Sequence, residues 1–221
     1  MLVSDILRKT SKINHITTHK GLAWFRDNPK LAYISIPKCA SSSTRNSLGL
    51  KAMSKVSELD GDFYKFTTIR EPVSRFVSAF IEITEDGMYK GGRFRHDPLL
   101  PEEKKQFLSN MMQNYGEIDR FKIFFNKIAR EWGFCEEHCI PQVVFLTDEN
   151  QRPLENVEIY SVKDINKIEI KLNKRFIRCN ESQNPRLKKK LISYINDNTS
   201  FKNEICDLYS EDMKLWSNYN D

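Results

Sequence analysis

The sequence has no apolar run near the ~20 residues that a helix needs to cross a bilayer. Residues 1–12 lack the basic start, apolar middle and small-residue cleavage site of a secretory signal. The five cysteines are an odd number at scattered positions, which makes a poor disulfide framework and favours a reducing compartment. We therefore expect a soluble protein without a membrane span, located in the cytoplasm.

The sequence also lacks internal repeats, low-complexity segments and a strong charge imbalance. Its 35 basic and 30 acidic residues leave a net charge of +5, and the lysines are dispersed. Nucleic-acid binders of this size usually show a basic stripe with interleaved aromatic residues, so no nucleic-acid partner is expected. The 221 residues and 39% hydrophobic content indicate a single domain over 1–221, with residues 1–30 as an N-terminal extension.

Strands and helices alternate in the hydrophobic pattern. Residues 31–36 and 64–69 are short apolar runs typical of buried strands, and helical patterns follow them at 44–50 and 72–85. Further helices are predicted at 101–115, 118–132, 163–176, 185–196 and 201–209, and short strands at 143–146 and 157–161. This order predicts an α/β fold with a central parallel sheet, flanked by helices in three layers, and a helix-rich C-terminal half.

The segment after the first predicted strand has the composition of an anion-binding turn. Pro37, Lys38, Cys39 and Ala40 lead into a run of hydroxyl residues at 41–44, Ser41, Ser42, Ser43 and Thr44. A strand-to-helix turn directs backbone N–H groups and the positive end of the helix dipole at one point. No glycine occurs at 22–48 and the lysine comes first, so this is not the nucleoside-triphosphate P-loop. The alternative is an ordinary hydroxyl-rich helix cap.

A second such turn follows the strand at 64–69. Arg70 lies at the end of the strand, Pro72 suits the first position of a helix, and Arg75 and Ser78 are three residues apart on that helix. An arginine fork matches the geometry of a phosphate group. The alternative is an arginine paired at the helix start, with Arg75 on a solvated face. The two turns lie about 30 residues apart, a spacing that fits a β–α–β unit and one shared sheet edge.

Together the two turns resemble the donor-binding motifs of sulfotransferases that use PAPS (3′-phosphoadenosine 5′-phosphosulfate). The resemblance implies a P-loop-like fold in which Lys38 and residues 41–44 bind the 5′-phosphosulfate. It further implies that Arg70 and Ser78 bind the 3′-phosphate, that PAP is the product, and that no metal is needed. The rival interpretations are a P-loop-type nucleotide or sugar kinase, and a non-catalytic binder of anionic polymers.

A third segment narrows the resemblance to the branch that sulfates glycans. Residues 137–142 read Glu-His-Cys-Ile-Pro-Gln and resemble the histidine-containing segment of that branch. Lys163 and Asp164 stand where a glutamate is usual there, so a role for that position does not carry over. The resemblance implies a carbohydrate hydroxyl as acceptor, and a Golgi location if the chain is the catalytic part of a membrane-anchored parent.

Three residues are candidates for the base that accepts the proton of the hydroxyl. His138 ranks first because an imidazole titrates near neutral pH, and His96 and Glu58 follow. Cys135, His138 and Cys139 could also be metal ligands, but no partner pair follows at zinc-site spacing, so no metal site is predicted.

Two loops are expected near the substrates. The glycine-hinged basic loop at 87–98 is a candidate cover for the acceptor site, and its alternative is a solvated basic loop. Asn180, Ser182 and Arg186 are expected to mark a later loop that closes over the nucleotide. The sequence does not indicate an oligomeric state.

Overall fold

A five-stranded sheet forms the centre of the protein, whose computed structural model describes residues 20–84, 102–131, 137–177 and 184–219. The strands are β1 (Leu22–Asp27), β2 (Lys30–Ile34), β3 (Ala52–Lys55), β4 (Tyr64–Ile69) and β5 (Val157–Ser161), in the order β3-β1-β2-β4-β5. The β2–β4 and β4–β5 pairs are parallel, and β1 is antiparallel to both its neighbours. The sheet is therefore mixed, with β1 as the one reversed strand among these five.

The prediction that both anion-binding turns share one sheet edge is confirmed. β2 and β4 are adjacent and parallel, with Ile34 opposite Thr67, so the turns that follow them leave the same edge. The connection between them is more than a simple β–α–β unit, because it also contains β3. β1 was missed within the predicted N-terminal extension, and it forms a hairpin with β2 across Asn28 and Pro29.

Helices account for most of the remaining described chain. They are α1 (Ser41–Leu48), α2 (Pro72–Thr84), α3 (Glu102–Asn114), α4 (Glu117–Phe124), α5 (Gln142–Phe145), α6 (Ile165–Lys171), α7 (Pro185–Asp197), α8 (Thr199–Leu208) and α9 (Ser210–Ser217). The chain continues from α4 as a π-helical segment, Phe125–Glu131. Single 3₁₀ turns occupy Val56–Glu58, Glu137–Cys139 and Val162–Asp164. The expected helix-rich C-terminal half is confirmed.

One predicted strand is wrong. Residues 143–146 form most of the short helix α5 and its C-cap instead of a strand. Pro141 precedes the helix, and the backbone N–H groups of Gln142 and Val143 donate to the carboxylate of Asp212 on α9. This carboxylate satisfies N–H groups that a helix start leaves without a partner, and it comes from a residue 70 positions away.

Apolar side chains pack on both faces of the sheet. On one face Tyr33 and Phe66 pack with Leu48 of α1 and Ile168 of α6. On the other face Ile69 joins a larger core made mainly by helices. There α2 packs against α4 through phenylalanines, and the rings of Phe80 and Phe121 lie 5.1 Å apart at 74°, an edge-to-face geometry that aromatic pairs favour. None of the helices in the described ranges is long and apolar enough to span a bilayer.

Candidate functional site

The loop between β2 and α1 contains two left-handed residues. Lys38 and Ala40 have φ of 65° and 61°, and Cys39 between them is not left-handed. Alternation of this kind is a backbone pattern found in anion-binding loops, and it costs a non-glycine residue on the order of 1 kcal/mol at each left-handed position. The N–H of Cys39 itself donates to the carbonyl of Ile36 over 3.2 Å. Ala40 is also the N-cap of α1 and makes no side-chain cap bond, so the helix begins directly at this loop. The arrangement suits an anion.

Buried hydroxyl groups on β2 and β4 hydrogen-bond to the backbone of this loop. Tyr33 of β2 donates to the carbonyl of Cys39 over 3.3 Å and lies 2.8 Å from Thr68 Oγ1 of β4. Thr68 also donates to the carbonyl of Cys39. Burial raises the pKa of Tyr33 to about 12, so its phenol stays protonated and remains a donor. The loop is therefore anchored to both of the strands whose ends form the site.

The four hydroxyl residues predicted to bind the phosphosulfate differ in exposure. Ser43 and Thr44 are buried, and Ser41 and Ser42 are half-buried. Ser41 donates its hydroxyl to the carbonyl of Ile36 at the start of the loop, so in this structure it closes the loop. Ser41 and Ser42 are thus the two half-buried hydroxyl residues at the start of α1, and the hydroxyl of Ser41 already donates within the loop.

The second turn differs from the first in that a side chain caps the start of its helix. The carboxylate of Glu71 accepts from the N–H groups of Val73 and Ser74, so these N–H groups in the first turn of α2 already have an acceptor. Arg70 Nη1 donates to the carbonyl of Lys38 over 3.3 Å, which joins the two turns directly. Burial lowers the pKa of the Arg70 guanidinium. Ser78 is buried and donates to the carbonyl of Ser74 over 2.9 Å.

Lys188 of α7 places a second positive charge near Arg70. Burial lowers the pKa of the Lys188 ammonium, and the positive charge of Arg70 lowers it further. Two cations that share a partly desolvated region repel each other unless an anion lies between them. Sequence reasoning missed Lys188, although it lies two residues from Arg186 in the segment expected near the nucleotide.

Arg75 is an internal tie and not a solvated residue. Its side chain is 1% exposed, which overturns the alternative of a solvated face. Its Nε donates to the carbonyl of Pro37 over 3.0 Å, and its Nη1 donates to the carbonyl of Ile140 over 2.8 Å. One guanidinium therefore fixes the loop that carries Lys38 to the segment that carries His138. The planar guanidinium makes these two bonds from separate nitrogen atoms in a fixed geometry, which the single ammonium nitrogen of a lysine does not provide.

Gln142 crosses the gap between the two turns. Its side chain is fully buried, and Oε1 accepts from Arg70 N over 2.9 Å and from the Cys39 thiol over 3.1 Å. Its Nε2 donates back to the carbonyl of Arg70 over 2.9 Å. Burial raises the pKa of Cys39 to about 11, so the thiol stays protonated and can donate. Asp212 accepts from the backbone N–H of Gln142 at the start of α5. Burial raises the pKa of Asp212, and the nearby charge of Arg75 opposes that rise only in part.

A cluster of Lys38, Glu82 and His138 lies beside the first loop. Glu82 Oε2 accepts from Lys38 Nζ, and Glu82 Oε1 lies 3.5 Å from His138 Nε2. His138 Nδ1 lies 3.9 Å from Glu137 Oε1. The structure thus brings together Lys38 and the favoured base candidate, which the sequence placed 100 residues apart. Sequence reasoning missed Glu82, although its position four residues after Ser78 put it on the same face of α2.

The other candidates lie elsewhere or outside the described residues. Glu58 follows β3 at the same sheet edge but two strands from β2, and its carboxylate accepts from Ser54 Oγ over 2.6 Å and from Lys55 N over 3.3 Å. Arg186 lies in the first turn of α7. The described ranges contain no group of three His, Cys, Asp or Glu side chains that could hold a metal ion. Some predicted site residues lie outside the described residues, namely His96, the loop at 87–98, Cys135, Asn180 and Ser182.

Comparison with known proteins gives one clear relationship. A family model described as "Sulfotransferase family" matches residues 22–220, which is nearly the whole described chain. No curated protein and no solved structure matches the chain significantly. The family match covers both turns, the His138 segment and the C-terminal helices, and it supports sulfotransferase activity.

Proposed function

We propose, since this chain belongs to the sulfotransferase family, that it transfers a sulfuryl group from PAPS to a carbohydrate hydroxyl. The acceptor oxygen bonds to sulfur while the bond between sulfur and the 5′-phosphate oxygen breaks. PAP then leaves, and the hydroxyl proton passes to a base. The observation that carries the proposal is the contact between the two anion-binding turns, in which Arg70 Nη1 donates to the carbonyl of Lys38 over 3.3 Å.

The two turns divide the donor between them in this proposal. The left-handed loop, Lys38 and the start of α1, whose N-cap Ala40 makes no side-chain cap bond, suit the 5′-phosphosulfate because they combine a helix N-terminus with one mobile charge. Arg70, with Lys188 beside it, suits the 3′-phosphate, which a guanidinium fork can bind through two oxygens. Ser78 reaches that phosphate by turning its hydroxyl away from the carbonyl of Ser74.

Lys38 and His138 carry the chemistry. A sulfuryl group bears less negative charge than a phosphoryl group, so a lysine and N–H donors suffice where kinases use Mg²⁺. Lys38 stabilises the charge that develops on the departing phosphate oxygen. His138 takes the proton from the acceptor hydroxyl as a general base. The closeness of the two side chains through Glu82 supports these roles.

The carbohydrate acceptor rests on the segment around His138. Residues 137–142 resemble the corresponding segment of the glycan-sulfating branch, and in this structure they form a 3₁₀ turn followed by the start of α5. Arg75 and Gln142 tie this segment to both donor turns. The acceptor is therefore expected to approach from the side of His138.

Thermal shift with nucleotides tests the donor assignment. We expect PAP at a hundredfold excess over Kd to stabilise the protein by about 2.7 kcal/mol, which corresponds to roughly 5–10 °C for a chain of this length. AMP and ATP with Mg²⁺ should shift the melting temperature much less. An equal response to AMP and PAP would remove the 3′-phosphate assignment, and a response only to ATP with Mg²⁺ would favour a kinase.

Two substitutions test the roles within the site. Lys38→Ala and Arg70→Ala should abolish sulfate transfer while the far-UV circular dichroism spectrum remains that of the wild type. Lys30→Ala is the matched control, because Lys30 lies at the opposite end of β2 and pairs with Asp62 at 2.7 Å. The acceptor is identified by a radiolabelled-sulfate transfer screen over glycans and small alcohols. Transfer by Lys38→Ala at the wild-type rate would refute its role.

A further inference from the structure

The carboxylate of Glu82 lies between Lys38 and His138. Its two carboxylate oxygens face different partners, Oε2 toward Lys38 Nζ and Oε1 toward His138 Nε2 at 3.5 Å. The Glu82 side chain is 31% exposed, whereas those of Lys38 and His138 are 15% and 11% exposed. The Glu82 carboxylate is thus the most accessible of the three groups. It pairs with the Lys38 ammonium, the group that binds the donor in the proposed function.

We propose that Glu82 is the resting partner of Lys38 and that the donor's phosphosulfate takes its place. This inference rests on the proposed function, since it requires that Lys38 bind the 5′ end of PAPS. Lys38 has a flexible four-carbon stem and a compact charge, so it can turn from a carboxylate to a nearby anion without backbone movement. The left-handed backbone at Lys38 fixes the base of that stem beside the start of α1.

The exchange changes the charge that faces His138. Before donor binding, the negative charge of Glu82 is balanced by Lys38. Once Lys38 has turned to the phosphosulfate, the carboxylate of Glu82 still faces Nε2 of His138 but no longer pairs with the Lys38 ammonium. A carboxylate opposite one imidazole nitrogen orients the ring and stabilises the imidazolium that forms when the other nitrogen accepts a proton. Of the two ring nitrogens, Nε2 is the closer to a carboxylate, at 3.5 Å from Glu82 Oε1, whereas Nδ1 lies 3.9 Å from Glu137 Oε1. The scheme therefore directs the N–H at Nε2 toward Glu82 and assigns the acceptor's proton to Nδ1.

Glu82 is accordingly a positioning residue that connects donor binding to the base. It does not touch the sulfuryl group and forms no covalent bond in this scheme. Glu137 is the natural comparison, because its carboxylate also lies near His138, at 3.9 Å from Nδ1, while the ion pair with Lys38 is made by Glu82.

Calorimetric titration with PAP tests the exchange without knowledge of the acceptor. Glu82→Gln removes the charge that competes for Lys38, so PAP should bind about two- to fivefold more tightly than to the wild type, the range expected for a partly exposed ion pair. Glu137→Gln should bind PAP like the wild type. If Glu82 were only structural, its loss would leave PAP affinity unchanged or weaken it, and either result would overturn the proposal.

A double substitution separates competition for Lys38 from an indirect effect. In a Lys38→Ala background, Glu82→Gln should no longer change PAP affinity, because the competed group is absent. A persistent gain in that background would refute the exchange. Glu82→Ala should behave as Glu82→Gln does, and it provides a second variant if the amide disturbs folding. Failure of the wild type to prefer PAP over AMP would instead refute the proposed function, so the two failures are distinguishable.

Steady-state kinetics with the acceptor from the transfer screen tests the second half of the proposal. Glu82→Gln should lower kcat by roughly tenfold, below the roughly 10²–10⁴-fold that a general base itself supplies, while the KM for PAPS falls. This opposite movement of kcat and donor affinity is not expected of a structural defect. A wild-type kcat in Glu82→Gln would refute the role toward His138.

Discussion

Replacement of Gln142 by alanine should damage both the stability of the fold and its affinity for the nucleotide. The side chain is fully buried and makes three hydrogen bonds, two with the backbone of Arg70 and one with the thiol of Cys39. Gln142→Ala leaves the N–H and the carbonyl of Arg70 without these partners. Because each buried group left unsatisfied costs about 1–3 kcal/mol, we expect a loss of about 3 kcal/mol in the free energy of unfolding.

This loss can be measured in two ways. Urea denaturation should show the decrease in the free energy of unfolding, and the melting temperature should fall by roughly 6–12 °C. PAP affinity should fall by about tenfold or more, equivalent to about 1.4 kcal/mol, because Gln142 sets the position of Arg70 relative to the loop that carries Lys38.

A control separates the two effects. Thr67→Val removes one buried hydrogen bond to the carbonyl of Ile34, and Thr67 lies on the face of the sheet opposite to Thr68 and the loop that Thr68 contacts. It should cost about 1 kcal/mol of stability and leave PAP affinity unchanged. The bridging role assigned to Gln142 is wrong if Gln142→Ala changes neither the free energy of unfolding nor the free energy of PAP binding by more than about 0.5 kcal/mol. It is also wrong if Gln142→Ala loses no more PAP affinity than Thr67→Val does.

Three further results are expected. Glu71→Ala should cost about 1 kcal/mol of stability in urea denaturation, because it removes the carboxylate at the start of α2. If the affinity for PAP stays unchanged in this variant, the start of α2 is not the phosphate site. Lys188→Ala should weaken PAP binding and leave AMP binding unchanged in parallel titrations, since Lys188 lies near Arg70; equal weakening of both nucleotides would contradict this. Hydrogen bonding to Lys171 lowers the pKa of Glu158, so its contribution to stability is present above the ordinary glutamate pKa and is lost as the pH falls through the lowered value. Glu158→Gln should flatten that part of the acid denaturation curve, and an unchanged curve would exclude the contribution.

Much of the proposed donor site was predictable from local sequence. After the predicted strand come Pro37, Lys38 and then four hydroxyl residues at 41–44. This local pattern predicts a strand-to-helix turn with N–H groups directed at one point, and it does not depend on distant parts of the chain. The same holds for the strand that ends in Arg70. Their shared edge followed from the tendency of strand–helix–strand connections to make parallel pairs, and the β2–β4 register confirms it.

Contacts between distant segments depended on the tertiary structure. Residues 143–146 carry a pattern that fits a strand, yet they become helical because Asp212 on α9 accepts from the N–H groups of Gln142 and Val143. Arg75 is buried because carbonyls of Pro37 and Ile140 surround its guanidinium. Local periodicity is set by neighbours three or four residues away, so it contains no information about partners that lie 38 to 70 residues away. The Lys38–Glu82–His138 cluster has the same origin, since only packing of α2 against the His138 segment brings those charges together.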